Sequence, residues 1–480
     1  MSANTGNLLQ LGLLLSLAVF NVGSNAQTPL GDDISLDFSD GAFDDSALFT
    51  EQSFSVSPFT FKLSQQTYGH VNRHELVNNP DGETRRSRGA ELNRLGLLVK
   101  YQNAFAPGWL LQGSAQAKVY WPGDYEYEAN DDRIDREFRV NELFVQRSGT
   151  RNSISFGRQT LVWGETIGNS VLDIINTTEF RDLTIIDIED ARLNQWLLVW
   201  DHFPGNNASN EHTGNSQNTG SWSTFLNLYP EFNPTPVSGS PLSFEPPFNL
   251  TDYRRNSPLL EAGTRWSRSF TGSDIAFMAA YLFENQLRFR PPASGQGNAV
   301  SEKNDFLLLG FSANRAIGRL LLTLDVAYSK NLLADTLVFA QTPGALPEAD
   351  GVRKDQLGTS LGFEYAINNE QNLSISVLLE RFLDRDDGLR ATEVLLEPDT
   401  TGNILLRYSN NLANNNIQLA VTAQGDIEGD TMLLSTSVNF ALNDRWAVTA
   451  QLIATRADAN SSFNFLDEDV RLGAVISYSF

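Results

Sequence analysis

No cysteine occurs among the 480 residues, so neither a disulfide framework nor thiol catalysis is open to this chain. Long apolar runs are missing too. Leu8 to Phe20 falls short of the roughly 20 residues a membrane helix needs, and nothing later comes closer. That excludes a helical span but not a wall of strands, since half of every barrel strand is polar and a mean hydropathy of −0.27 is compatible with it. Positive charge is scarce: 35 Lys and Arg face 58 Asp and Glu, a net charge of −23, which argues against nucleic acid as a partner. Histidine is limited to His70, His74, His202 and His212, and no Gly-x-Ser-x-Gly elbow, His-Glu-x-x-His helix or phosphate loop is present. No enzyme is expected. The most suggestive local pair is Asp201 beside His202.

The first residues agree with export. An apolar stretch precedes small residues and Ser24-Asn25-Ala26, which places a signal peptide at 1–26. Its charge is atypical, because no Lys or Arg occurs before Lys62. Residues 27–52 carry Asp32, Asp33, Asp37, Asp40, Asp44, Asp45 and Glu51 without one basic residue and read as a solvated, acidic periplasmic lead-in; partner binding is the alternative. Residues 53–480 are expected to form one domain.

That domain is dominated by a period of two. Leu320, Leu322, Leu324, Val326 and Tyr328 alternate with polar neighbours, as do Leu357, Leu361, Phe363 and Tyr365, and Trp446, Val448, Ala450 and Leu452. Strands with one apolar and one wettable face follow. Segments of about ten to fourteen residues suffice to cross the hydrocarbon when tilted. About eighteen are present, an even number as a single-chain barrel requires. They lie near 59–70, 90–103, 108–121, 138–147, 152–162, 191–201, 220–229, 259–269, 273–287, 303–314, 318–329, 354–366, 370–382, 402–412, 416–426, 430–441, 444–456 and 469–480. Tight connections alternate with long polar ones at 71–89, 122–137, 163–190, 230–258, 288–302, 330–353 and 383–401, the rhythm of periplasmic turns and extracellular loops. Asn206 to Thr219 and Ile427 to Gly429 break it, so about sixteen strands is the alternative count. The expected fold is all-β: a transmembrane antiparallel β-barrel.

The chain stops on Val470-Arg-Leu-Gly-Ala-Val-Ile-Ser-Tyr-Ser-Phe480, apolar at every second position. With Ile476, Tyr478 and Phe480, it looks like the C-terminal strand that the outer-membrane barrel assembly machinery reads. A second resemblance is carried by Gly157-Arg-Gln-Thr-Leu-Val-Trp-Gly-Glu165, Val171-Leu-Asp-Ile-Ile-Asn176, Phe180-Arg-Asp-Leu183 and Ala191-Arg-Leu-Asn-Gln-Trp196. This series resembles an outer-membrane family related to the alginate-export porins. The resemblance implies an eighteen-stranded monomeric barrel with a charged, loop-constricted lumen, in the outer membrane of a Gram-negative bacterium.

Charge on the lipid face near the midplane costs about 2–4 kcal/mol, so strand charges should face water inside. Alternation assigns Lys62, Arg94, Lys100, Lys118, Arg265, Arg319, Arg407 and Arg471 to the lumen, with Glu261, Asp325, Glu364, Glu380 and Asp426. Glu142, Arg158, Glu165 and Arg192 crowd three consecutive segments and should pair across strands. The loop after Glu165 is apolar enough to fold inward as a constriction or partial plug; a corner that only stiffens the wall is the alternative. The first three strands offer only basic lumenal charge, which favours passage of anions. Cross-strand pairing is the plainer use of many of these residues. Two other functions stand beside passive anion conduction: a conduit for hydrophobic or lipid-like molecules served by a periplasmic or inner-membrane export partner, and a structural or adhesin barrel. No cofactor is implied; Ca²⁺ at Asp384, Asp386 and Asp387, or at Asp131 and Asp132, is the one metal to consider.

Overall fold

In the computed structural model, residues 57–71, 75–76, 85–86, 89–125, 136–179, 181–182, 184–185, 191–204, 220–234, 259–290, 300–339, 348–385, 387–396, 398–459, 461 and 463–480 are described. The expected signal peptide and acidic lead-in lie outside them. The wall is built of β1 Phe59–His70, β2 Ala90–Ala106, β3 Trp109–Tyr120, β4 Arg136–Ser148, β5 Asn152–Gln159 and β6 Gln195–His202. It continues with β7 Ser221–Tyr229, β8 Glu261–Phe270, β9 Ser273–Phe283, β10 Asp305–Ile317, β11 Leu320–Val338 and β12 Glu348–Ala366. The last six are β13 Gln371–Phe382, β14 Thr400–Leu412, β15 Ile417–Asp426, β16 Thr431–Ala441, β17 Trp446–Ala457 and β18 Val470–Ser479. Each pairs antiparallel with its neighbours, and β18 returns to β1, so 18 strands close the sheet and no edge is left open. β6 and β7 pair directly, which sets aside the sixteen-strand count; most of the Asn-rich connection between them lies outside the described residues.

Alternation sorts the side chains as hydrocarbon demands. In β6, Gln195, Leu197 and Val199 are buried inside while Trp196, Leu198 and Trp200 are exposed outside. Phe277 and Tyr281 on β9, Leu357, Leu361, Phe363 and Tyr365 on β12, and Leu472 and Ile476 on β18 repeat the outward apolar face. Backbone groups are paired around the ring, so this wall can stand in lipid where an open sheet could not.

One connection departs from its expected length. The stretch 330–353 is not a long polar loop: after a bulge at Asn331, where φ is 70°, Leu332–Val338 pairs with Glu348–Lys354. The hairpin so formed rises beyond the wall, with Glu393–Leu395 added beside it. The apolar residues Leu332, Leu333, Leu337 and Val338 and the absence of Gly and Pro between them could have signalled it. The short outer turn at Ile427–Gly429 is real, closed by Gly429 N–H donating to Asp426 O at 3.2 Å with φ of 83° at the glycine.

The terminal residue closes the seam. Phe480 and Phe61 exchange backbone hydrogen bonds of 2.9 and 3.0 Å, and their rings stack at 5.2 Å. Tyr478 extends the stack at 5.5 Å. Phe480→Ala should weaken folded barrels by about 0.5–1.5 kcal/mol, the worth of one aromatic pair beyond its area. Urea unfolding in detergent, followed by the electrophoretic mobility of folded and unfolded chain, reads that shift; an unchanged midpoint would remove the seam's role.

Candidate functional site: a loop folded into the lumen

Between β5 and β6 the chain leaves the wall and enters the barrel. Gly157 permits the exit: its φ is 139°, and a Cβ there would lie 2.1 Å from Leu143 O. Trp163 is buried with its ring 5.3 Å from Phe225 in an edge-to-face contact, and a Cβ on Gly263 would strike both rings. Around them Val171, Leu172 and Ile175 of the loop pack on lumen-facing Leu197, Met278, Leu282 and Leu308. Where the loop packs, the inner faces of β6, β7, β9 and β10 are therefore apolar as well as the outer ones. The expected inward constriction is present.

Polar contacts pin the same loop. Asp325 of β11, fully buried, accepts from Glu165 N–H at 3.1 Å, Thr166 N–H at 2.9 Å and Ser170 Oγ at 2.7 Å. Asn176 clips its own loop, accepting from Leu161 N–H at 3.1 Å and donating to Leu161 O at 2.9 Å. Arg192 closes the base on Asp173 at 2.7 Å. Glu165 reaches Arg265 at 3.1 Å and Asn314 at 3.2 Å. Burial pushes the Glu165 carboxyl up, against the pull of Arg265. The residues of the Gly-Arg-Gln and Trp-Gly-Glu series thus build and fasten the inserted loop.

Its far end crosses the lumen. Asn169 donates to Asn403 of β14, and Gln451 of β17 donates to Thr184 O at 3.3 Å. Asp182 meets Arg94 of β2 at 3.2 Å, and Arg94 also grips Asp124 in a two-pronged pair of 2.8 and 3.0 Å. Burial alone would raise the Asp182 carboxyl; Arg94 and the Thr184 hydroxyl and N–H hold it below the usual carboxylate range. Glu179 takes Arg139 at 3.4 Å and also Arg181. Sequence reading missed Asp124, Arg139, Asp173, Glu179 and Asp182. Most sit in connections, where no period marks which way a side chain points.

The expected lumenal residues divide into three groups. Arg94, Glu165, Arg192 and Arg265 hold the loop; Glu142 accepts from Gln112 at 3.0 Å, and Glu364 and Arg407 flank Ser374 on adjacent strands. Arg471 joins a buried cluster with Glu91, Asp469 and His70 at the long-loop end of the seam. Two stand elsewhere. Arg319 lies in a tight turn and donates to Ile367 O at 2.8 Å. Arg158 is in register with Leu143 and Trp196, both outward, and is held by Glu231 at 2.7 Å. Alternation itself puts Arg158 on the outward face with Ile154 and Phe156; the cost of charge in lipid suggests the lumen, and the Glu231 carboxylate meets that cost outside instead.

Lys62, Lys100 and Lys118 form the third group. Among the described residues none of them has a carboxylate within 4.0 Å. Their register is stepped: Lys100 on β2, Lys62 opposite Leu98, Lys118 opposite Gly96, then Arg94. Each step is two residues, about 7 Å of strand. A column of cations thus climbs the wall of β1 to β3 toward the loop's acidic end.

Among the described residues the remaining candidates are not brought together. By alternation Asp201 and His202 point to opposite faces, and His202 Nδ1 pairs with Asn152 at 2.8 Å. Asp384 and Asp387 offer backbone carbonyls to the Lys354 ammonium, while Asp386, Asp131 and Asp132 lie outside the described residues.

A closed barrel with an apolar exterior, a mostly polar interior and an inserted loop defines the class of outer-membrane β-barrels, and the Gram-negative outer membrane is where such a wall belongs. No sequence-family model matches the chain, and no curated protein does. Solved structures similar to it are outer-membrane barrels. Acinetobacter baumannii OccAB2 is 7% identical, with 88% of this chain and 97% of that one covered at a TM-score of 0.47. Salmonella typhi OmpF, in complex with daunomycin, is 8% identical over 88% and 97% at 0.41. An anion-selective porin from Comamonas acidovorans is 12% identical over 88% and 98% at 0.37.

Proposed function

We propose that this protein is a passive outer-membrane channel for an anionic solute or acidic polysaccharide, one chain closing one pore, inserted by the barrel assembly machinery through Ile476, Tyr478 and Phe480. The carrying observation is the column Lys100, Lys62, Lys118 on one lumenal wall, where among the described residues none of the three has a carboxylate within 4.0 Å. Spaced charges in a low-dielectric pore attract anions in several weak steps, which suits conduction better than one tight site. The resemblance to the alginate-export porins supports a polyuronate as the polymer. No catalytic residue is needed.

Planar-bilayer recordings under a salt gradient test this. Wild type should prefer anions, and K62Q/K100Q/K118Q should lose that preference. Acidic oligosaccharides added from the periplasmic side should block the wild-type current and spare the triple variant. A cation preference that the three substitutions leave unchanged would overturn the reading. The loop's apolar core favours the second reading, a conduit for lipid-like cargo with an export partner; that reading expects almost no ion current.

A further inference from the structure

We propose that the acidic lead-in, residues 32–51, docks on the periplasmic mouth of its own barrel against Lys62 and Lys100. The proposal goes beyond the channel reading: it requires only that the two lysines be free, whatever the pore conducts.

Geometry brings the two together. Gln102 N–H donates to Pro58 O at 3.0 Å, and Thr60 is opposite Lys100, so the chain joins the wall beside the lysines. β2 runs on to Ala106 below that point, which leaves Ser57 and Pro58 at the mouth. Glu51 is six residues before Ser57, within about 20 Å even if fully extended. Among the described residues the two lysines tip the mouth of this acidic protein to basic. Besides the lysines it carries Arg151, Arg319 and Arg445 on its turns, against Asp274, Glu370 and Asp444. At the level of Lys100 the near carboxylate is Glu142, two strands away and already bound by Gln112. The lead-in holds seven acidic residues, Asp32, Asp33, Asp37, Asp40, Asp44, Asp45 and Glu51, and no cation. A short tether keeps the effective concentration of such a segment in the millimolar range, so weak individual pairs suffice. Docked, it would screen the foot of the lysine column.

The absence of cysteine makes the test clean. In the full chain, Ser46→Cys with Gln102→Cys places one thiol in the lead-in and one beside Lys100. Ser46→Cys with Asn415→Cys is the control, on the uncharged turn between β14 and β15 only four strands from β1, well inside the roughly 38 Å span of an eleven-residue tether. Mild oxidation should link the first pair severalfold faster than the control. High salt should abolish the difference, as should Asn at Asp37, Asp40, Asp44 and Asp45. Equal rates for both pairs, or a difference that salt leaves alone, would overturn docking and return the segment to a solvated or partner-binding role. With the cysteines absent, the same four Asn changes should raise the anion-over-cation permeability ratio about twofold. If linking is specific and the ratio stays flat, the segment docks and the anion reading fails.

Discussion

Asp325→Ala should widen the pore without dissolving the barrel. Its carboxylate is the common acceptor for Glu165 N–H, Thr166 N–H and Ser170 Oγ, at a fully buried position on β11. Losing the acceptor orphans three donors, each at about 1–3 kcal/mol. Against that stands apolar burial: Trp163, Leu172 and Ile175 together contribute about 5–9 kcal/mol at 1.5–3 each. The two sums are similar, about 3–9 against about 5–9 kcal/mol, but the Asn176 clip on Leu161 and the Arg192–Asp173 pair are untouched by the substitution, so the loop stays docked on average while its first turn loosens. Single-channel conductance should rise, and trypsin should cleave at Arg181 or Arg192 in folded barrels that resist it in wild type. Asp325→Asn keeps one acceptor oxygen and should fall between. Adding Trp163→Ala, worth about 3–5 kcal/mol, should tip the balance and free the loop. Unchanged conductance and protease resistance in the double variant would mean that the loop is held by something other than these contacts.

The wall was legible because its cause is periodic. Lipid outside and water inside impose alternation at every strand, so Leu320 to Tyr328 or Leu472 to Phe480 could be assigned from spacing alone. The loop's inward fold was legible for a related reason: Val171, Leu172, Ile174 and Ile175 need a dry place. What alternation cannot report is pairing. Arg94 and Lys100 look alike in sequence, both basic and on one face of β2, yet one is clamped by two carboxylates and the other has none within 4.0 Å among the described residues. The difference comes from Asp124 and Asp182, contributed by connections 30 and 88 residues away. Arg158 failed for a related reason: its strand parity is outward, and its partner Glu231 comes from a connection that the period does not report.

Arg94 is therefore where two readings of one residue can be separated. As part of an anion path, its loss would lower selectivity and little else. As a latch, its loss strands Asp124 and Asp182 in a buried setting, and breaking such a pair costs about 3–5 kcal/mol. Arg94→Lys should restore little, because an ammonium cannot reproduce the two-pronged grip on Asp124 while reaching Asp182. Hydrogen exchange over residues 177–185 gives a readout that selectivity does not move. Arg94→Gln and Asp182→Asn should each speed exchange there strongly, and the double variant should add little to either, as one shared interaction dictates. Acid should mimic them. The folded Asp182 titrates below its ordinary value, so the latch's contribution is full above that value and is lost as pH falls through the depressed one. Strictly additive effects of the two substitutions would make Arg94 and Asp182 independent, and the loop's far end would need another anchor.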